Sequence, residues 1–383
     1  MKTIGVVTVG RSDYGIYLPV LKLIKSQPDL SLRIFAGGMH LAPEFGCTAR
    51  AIEEDGFEIA ERVEILPSSD TPAAVAEAMG RGTIGFAQAY TRQRPDILLV
   101  LGDRFEMHSA VVAALPLKIP VAHIHGGELS EGAIDDALRH SITKMSHLHF
   151  VATETYRNRV IQMGEEPWRV VISGAPALDN LKTIELPTRA QLSKGYGLRE
   201  EESFLLVTYH PVTLEHEQTE AQMTALLQAL GELDMAVVFT YPNADTGNRA
   251  IIQLIGEYVA SNSRARTFVN LGTRGYFSMM KHATAMVGNS SSGIIEAASF
   301  KLPVVNIGNR QRGRLRAANV IDVGYSRREI AAGIRQALAP DFRARLDDLV
   351  NPYGDGHAAE RIVETLRAVE LNDKLLLKHF HGI

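Results

Sequence analysis

Ala285-Met286-Val287-Gly288-Asn289-Ser290-Ser291-Ser292-Gly293-Ile294-Ile295-Glu296-Ala297-Ala298-Ser299-Phe300-Lys301-Leu302-Pro303-Val304-Val305-Asn306-Ile307 reads as a strand, a hydroxyl-rich turn, a helix and a second strand. Ala285–Val287 is apolar enough for a buried strand, and Gly288 and Asn289 interrupt it. Ser290, Ser291 and Ser292 then bring hydroxyls and backbone N–H groups to the start of a helix, where those N–H groups lack intrahelical partners. A strand–helix–strand unit with continuous apolar strands belongs to a parallel sheet covered on both faces. The serines, with the positive end of the helix behind them, suit a diphosphate. Glu296 lies one turn in, and Arg310, Arg312 and Arg314 in the next turn supply fixed positive charge. A serine-capped helix beside a solvated basic loop is the plain alternative, and for the serines alone it would be the better account.

The same grammar extends in both directions. Upstream, β-rich runs alternate with helical patterns: Ile4–Val9 then Ile16–Ser26, Leu32–Ala36, Pro72–Gln93, Ile97–Leu101 then Phe105–Leu115, Val121–His125 and His147–Ala152. Gly174–Glu202, with Pro176, Pro187, Gly195, Gly197 and a burst of charges, reads as a connection. A second series follows, from Phe204–Thr208 through Ala236–Thr240 and Thr267–Asn270 to Val304–Ile307. The fold expected is α/β, with two Rossmann-like doubly wound domains whose ligands sit beyond the C-terminal strand ends. The expected boundaries are 1–180, 181–365 and a helical tail, 366–383, packed back across the junction.

Length and composition agree. A chain of 383 residues exceeds what one core sustains, and 45% hydrophobic with 22% charged residues is the balance of a globular protein. No run approaches a membrane span, and Met1-Lys2 leads straight into a strand without a signal-peptide pattern, which favours the cytoplasm. The single cysteine, Cys47, excludes an internal disulfide and a cysteine-built zinc site. A net charge of −4 offers no global attraction to nucleic acid. Neither first turn carries a dinucleotide-binding glycine fingerprint and no P-loop is present, so nicotinamide chemistry is not expected.

Four clusters fall where strands should end. In Gly10-Arg11-Ser12-Asp13-Tyr14-Gly15, Arg11 projects toward an anion or is a surface arginine in a tight turn. In Gly102-Asp103-Arg104-Phe105-Glu106, Asp103 is either a helix N-cap or a carboxylate facing the ligand. His123-Ile124-His125-Gly126-Gly127-Glu128 ends a further strand, and alternation puts His123 and His125 on one side with Glu128 just beyond. On the following helix Asp135 and Arg139 are four apart, as are Asp136 and His140, so each acid can orient its partner. So many acids and histidines together point to acid/base work rather than to surface ion pairs. Thr208-Tyr209-His210-Pro211-Val212-Thr213 is the fourth, with His210 as a cation or acid for a leaving diphosphate. Metal binding is not expected: the His-x-His pairs at His123/His125, His147/His149 and His379/His381 lack further ligands at metal spacing, and at His147/His149 one ring is expected buried and the other solvated.

Together these motifs resemble the hydrolysing UDP-N-acetylglucosamine 2-epimerases and their relatives acting on diacetamido-trideoxy sugars. Gly38-Met39-His40-Leu41, Asp135–Ser146, Tyr241-Pro242-Asn243-Ala244-Asp245 and Gly288–Arg314 complete the set, which covers nearly the whole chain. The resemblance implies a GT-B-type arrangement with an interdomain active-site cleft, and elimination of UDP to a 2-acetamidoglucal followed by hydration with inversion at C2, giving N-acetylmannosamine. It implies Asp103, Asp135 and His210 as catalytic groups. Arg11, Ser290, Ser291 and Arg310 would hold the diphosphate, with Ser292 beside them, and Glu296 the ribose. His40, Arg104 and Arg139 would be substrate-side groups, and Leu271–Phe277, with Arg274 and Tyr276, would meet the base. His125 is a departure, since many members place a glutamate immediately before the two glycines; the acid/base duty there belongs to His125 or to Glu128.

No cofactor and no metal are implied. The partners implied are the nucleotide sugar and UDP, with neither nucleic acid nor membrane, in a homodimer or a dimer of dimers. UDP-N-acetylglucosamine in sialic-type acid biosynthesis is the first substrate reading. Alternatives are a UDP- or GDP-linked 2,4-diacetamido-2,4,6-trideoxy sugar, a non-hydrolysing epimerase, a GT-B glycosyltransferase and a catalytically silent nucleotide-sugar-binding protein.

Overall fold

The computed structural model describes residues 1–383 except Glu44, Phe45, Pro67, Ser68, Asp70, Gly132, Ala244 and Ile383, so Ala244 of the Tyr241–Asp245 motif lies outside the described residues. The chain divides into two compact units. The first comprises Met1–Glu128, Asp135–Thr183 and Tyr353–Ile383; the second comprises Leu129–Ile134 and Ile184–Pro352.

The first unit holds a seven-stranded sheet of β1 (Lys2–Thr8), β2 (Leu30–Gly37), β3 (Ile59–Val63), β4 (Ile97–Leu101), β5 (Val121–Ile124), β6 (Leu148–Val151) and β7 (Val170–Ile172), in the order β3-β2-β1-β4-β5-β6-β7. Every pairing is parallel. Alternation sorts the strand residues onto two apolar layers. Ile4, Val6, Leu99 and Leu101 pack with Tyr17, Leu21 and Ile24 of the helix Arg11–Ser26, whereas Val7, Leu98 and Val100 pack with Phe86 and Tyr90 of Pro72–Arg92 and with Met107 and Val111 of Phe105–Ala114.

The second unit holds six parallel strands, β8 (Phe204–Thr208), β9 (Ala236–Thr240), β10 (Ala265–Phe268), β11 (Ala285–Gly288), β12 (Val304–Ile307) and β13 (Val320–Val323), ordered β10-β9-β8-β11-β12-β13. Both sheets run outward on one side, then restart beside their first strand. The switch points are therefore β1/β4 and β8/β11, where a doubly wound sheet leaves a crevice at its C-terminal edge. At β8/β11 the approach is very close. Gly288 has φ +137°, and a Cβ there would overlap the Thr208 carbonyl.

Three strands escape the sequence reading: β3, β7 and β13. All are sheet edges of three to five residues with mixed burial, so they show neither a continuous apolar run nor clean alternation. The domain boundary also differs from the expected 181–365. Residues 353–365 join the first unit because the helix Ala358–Ala368 buries Ile362, Val363 and Leu366 in the same layer as Tyr17 and Leu21. Asp179 caps that helix, accepting from the N–H groups of Ala358 (3.0 Å) and Ala359 (2.6 Å). The tail is tied to this unit as well: Arg169 donates to the carbonyls of Lys374, Leu375 and Leu377. Among the described residues no helix is long and apolar enough to cross a membrane.

Candidate functional site

At the first switch point the turn after β1 is shaped from inside. Asp13, in the first turn of Arg11–Ser26, is buried; its Oδ2 accepts from the Thr8 hydroxyl and the Val9 N–H, both at 2.8 Å. His40 Nε2 lies 2.8 Å from that Thr8 hydroxyl and Nδ1 lies 2.7 Å from Thr48 Oγ1, so protein hydroxyls occupy both ring nitrogens. Burial holds His40 down at about 4 and pushes the Asp13 carboxyl up. Arg11 is the first residue of that helix, two positions before Asp13.

Asp103 follows β4 but is not the helix cap; Arg104 takes the N-cap position of Phe105–Ala114. The Asp103 carboxylate instead receives a hydrogen bond from Arg139, which is 1% exposed. Arg139 also donates to the His125 carbonyl (2.8 Å) and lies 4.0 Å from Glu128. Arg104 donates to the fully buried Glu106 at 2.9 Å. Asp135 opens the helix Asp135–Met145 and is buried, and one turn on, His140 lies 3.5 Å from Asp136, the four-apart pair anticipated from spacing.

The two histidines of the third cluster part company. His123, inside β5, is fully buried, with Nε2 2.8 Å from the Gly102 carbonyl and Nδ1 3.2 Å from Thr143 Oγ1; burial lowers it to about 3. It is a neutral brace for the turn that carries Asp103. His125 lies past the strand end, with φ +65°, so the alternation argument stops at Ile124. Its Nδ1 is 2.6 Å from Glu128 Oε1, and its Nε2 is buried with no hydrogen-bond partner among the described residues. A carboxylate on Nδ1 selects the Nδ1–H tautomer and leaves the Nε2 lone pair free to take a proton.

His147 and His149 are both buried, not one buried and one solvated. Glu165 covers His149 at 3.0 Å and is itself gripped by Lys144 and Lys378. Burial opposes ionisation of Glu165, but His149, Lys144 and Lys378 hold its carboxyl at about 2.

At the second switch point, Asn289 is the organiser. Its Oδ1 accepts from the His210 N–H (2.7 Å) while its Nδ2 donates to the His210 carbonyl (2.8 Å). His210 Nδ1 accepts from the Asn243 N–H at 3.2 Å, which places the ring proton on Nε2. Arg310 and Gln311 both donate to the Asn289 carbonyl, and Arg310 lies 3.9 Å from Asp245. Ser290 caps the helix Ser291–Ile295, accepting from the Ser292 N–H at 3.3 Å. That helix has only five residues, so its dipole is slight and the local N–H and hydroxyl donors of Ser290, Ser291 and Ser292 matter more.

Glu296 ends the helix and is 5% exposed. The Tyr276 phenol sits among the hydroxyls of Ser292, Thr208 and Ser290 and near the Glu296 charge, and burial pushes it up. Arg274 is exposed, its Nε donating to the Glu185 carbonyl. Of the three arginines expected to supply positive charge, Arg312 pairs with Glu131 and Arg314 donates to the Leu129 carbonyl. Sequence reasoning assigned no role to Asp13, Glu106 or Asn289. An acid in a helix's first turn was a signal for Asp13; Asn289 read only as a turn residue.

Comparison with known proteins agrees with this layout. The profile of the UDP-N-acetylglucosamine 2-epimerase family matches residues 22–367. A Legionella pneumophila "UDP-N,N'-diacetylbacillosamine 2-epimerase (hydrolyzing)" is 38% identical, covering 97% of each chain. A Campylobacter jejuni "GDP/UDP-N,N'-diacetylbacillosamine 2-epimerase (hydrolyzing)" is 39% identical over 99% of this chain and 98% of its own. In fold, the chain is similar to the crystal structure of a Neisseria meningitidis UDP-GlcNAc 2-epimerase bound to UDP-GlcNAc, with a TM-score of 0.81 at 19% identity over 96% of this chain and 100% of that one. With the family profile matching most of its length and two relatives aligned almost end to end, this chain belongs to the UDP-N-acetylglucosamine 2-epimerase family.

Proposed function

We propose that the protein is a hydrolysing 2-epimerase of a UDP-linked 2,4-diacetamido-2,4,6-trideoxy sugar, with UDP-N-acetylglucosamine as the second substrate reading. The names of the Legionella and Campylobacter relatives support the diacetamido sugar; the family description supports the second. The observation that carries the chemistry is the chain from buried His125, Glu128 and Arg139 to half-buried Asp103 at the C-terminal edge of the first sheet.

In this reading His125 Nε2 is the acid/base at C2, with Glu128 holding the opposite nitrogen. Their 2.6 Å contact supports a division of labour, in which Glu128 orients and His125 transfers the proton. Removal of the C2 proton and cleavage of the C1–O bond release UDP and leave a glycal. Asp103, aimed by Arg139, stabilises positive charge developing on the ring, and Asp135 serves as the second acid/base group when water adds, its oxygen to C1 and a proton to the opposite face of C2. His210 Nε2–H, Ser290, Ser291, Ser292, Arg310 and Arg11 neutralise the departing diphosphate, and Glu296 takes the ribose hydroxyls. Tyr276 braces the serines and Arg274 reaches the base. His40 acts through Thr8 and Asp13 on the turn bearing Arg11, and Arg104 through Glu106. A homodimer belongs to the same reading and is checked by light scattering.

The test is proton NMR in deuterated water with the UDP-linked diacetamido sugar, its GDP-linked form and UDP-N-acetylglucosamine in separate tubes. Free 2-epimer deuterated at C2, formed fastest from the UDP-linked diacetamido sugar, is the expected result. Faster turnover of UDP-N-acetylglucosamine would reverse the order of the substrates. Intact, unexchanged substrate in all three tubes would sink the epimerase reading in favour of a transferase or a binding protein.

A further inference from the structure

The chain leaves the first unit directly after Glu128 and re-enters it at Asp135, and the six residues between belong to the second unit. They are gripped at both ends. Arg314, itself buried, donates through Nε to the Leu129 carbonyl (3.1 Å) and through Nη2 to Ser130 Oγ (3.5 Å). Gly313, at φ +84°, lets the backbone approach closely: a Cβ there would come within 2.7 Å of Leu129 Cβ. The Glu131 N–H donates to the Arg312 carbonyl at 3.4 Å. At the far end, the Thr213 hydroxyl accepts from the Ile134 N–H at 2.9 Å.

Leu129 adjoins Glu128 and Ile134 adjoins Asp135, so each grip acts one residue, about 3.8 Å of chain, from an acid assigned to the chemistry. The gripping groups also lie in the two turns that carry the diphosphate ligands. Thr213 is three residues from His210, in a turn stiffened by Pro211, and Arg314 is four from Arg310 on one loop. We propose that Thr213 and Arg314 are positioning residues of the epimerase reaction: by holding Ile134 and Leu129, they fix the backbone on which the neighbouring Asp135 and Glu128 are carried. This rests on the function proposed above. A displacement on the order of 1 Å at a reacting group can cost about 100-fold in rate, so losing one of several grips is expected to cost about tenfold.

The experiment compares Thr213→Val, which keeps the shape and removes the acceptor, with Thr213→Ser, which keeps the acceptor. Kinetics on the substrate that wild type turns over are read beside UDP affinity and Tm; Arg314→Lys is the companion variant. The expected pattern for Thr213→Val is a roughly tenfold fall in kcat and in C2 deuterium incorporation, with UDP affinity and Tm unchanged, restored by Thr213→Ser. Wild-type kcat in Thr213→Val overturns the proposal. So does a fall in kcat that Thr213→Ser does not repair, or one accompanied by an equal loss of UDP affinity or a lowered Tm, since either marks a purely structural contact. Should Thr213→Val not fold, the Arg314→Lys variant decides by the same split between kcat and UDP affinity. Failure of the function itself reads differently: wild type would then show no C2 exchange on any sugar nucleotide.

Discussion

The two sheets share one winding rule and furnish their C-terminal edges with different balances of groups. At the ends of β4 and β5 the working groups are ionisable side chains, buried or half-buried and held by one another: Asp103 by Arg139, His125 by Glu128 and Arg104 by Glu106. Beside β8/β11 the ionisable His210, Arg310 and Glu296 are joined by backbone amides, serine hydroxyls and one side-chain amide, with Asn289 bridging both backbone groups of His210. Buried ionisable groups held in place can move protons, whereas neutral donors near a fixed cation can hold an anion without titrating. On the function proposed above, the difference assigns proton transfer to the first unit and the diphosphate to the second.

That contrast breaks most sharply at Asp103. Asp103→Asn is expected to lower turnover on the order of 1,000-fold while leaving UDP affinity within twofold; a calorimetric titration beside the kinetic assay reads both, and near-normal turnover would remove Asp103 from the chemistry. The matching lesion in the second unit is Gly288→Ala. It forces a side chain at φ +137° against the Thr208 carbonyl, and should cost roughly 3 kcal/mol or more of stability, seen as a lowered urea midpoint.

Acid sharpens the comparison from the other side. His40, His123 and His147 of the first unit are held by burial at about 4, 3 and 4. Their folded values lie below the unfolded one, so between about pH 6.5 and 4 the unfolded chain binds more protons and stability falls as pH falls. At pH 5 the loss is on the order of 2 kcal/mol per histidine. Hydrogen exchange at pH 7.5 and pH 5 should show protection dropping in β1, β5 and β6, and equal protection at both values would contradict the assignment. The smallest effect is expected at Arg310: Arg310→Met should weaken UDP by about 10- to 100-fold, corresponding to one charge-assisted contact of about 1.5–3 kcal/mol. The single-turnover rate at saturating substrate should fall far less than in Asp103→Asn.

Much of this is legible in the sequence. The central strands are continuous apolar runs because both their faces are covered, and the turns after them carry glycines, acids and arginines that a core does not need. The edge strands β3, β7 and β13 were hidden because half-covered strands of three to five residues leave no pattern. The helix Ala358–Ala368 could be read as amphipathic, but periodicity does not say which core an apolar face will join, so its placement in the first unit was not legible. Asp103 illustrates the same limit at a single residue. Spacing allowed a cap or a free carboxylate, and Arg139, 36 positions away, decided between them.

The sequence by itself determined the parallel winding of both sheets, the turns at which their ligands would lie and the residue types available there, because these follow from local periodicity and turn chemistry. Only the tertiary structure decided the partners. It set His123 as a brace and His125 on Glu128, put Asn289 across His210, and turned Arg314 from a source of fixed positive charge into a grip on Leu129. Apart from His125 and Glu128, which are three positions apart in an irregular turn, those outcomes depend on which distant segments meet at a strand end, and a hydrogen bond between residues tens or hundreds of positions apart has no period in the sequence to betray it.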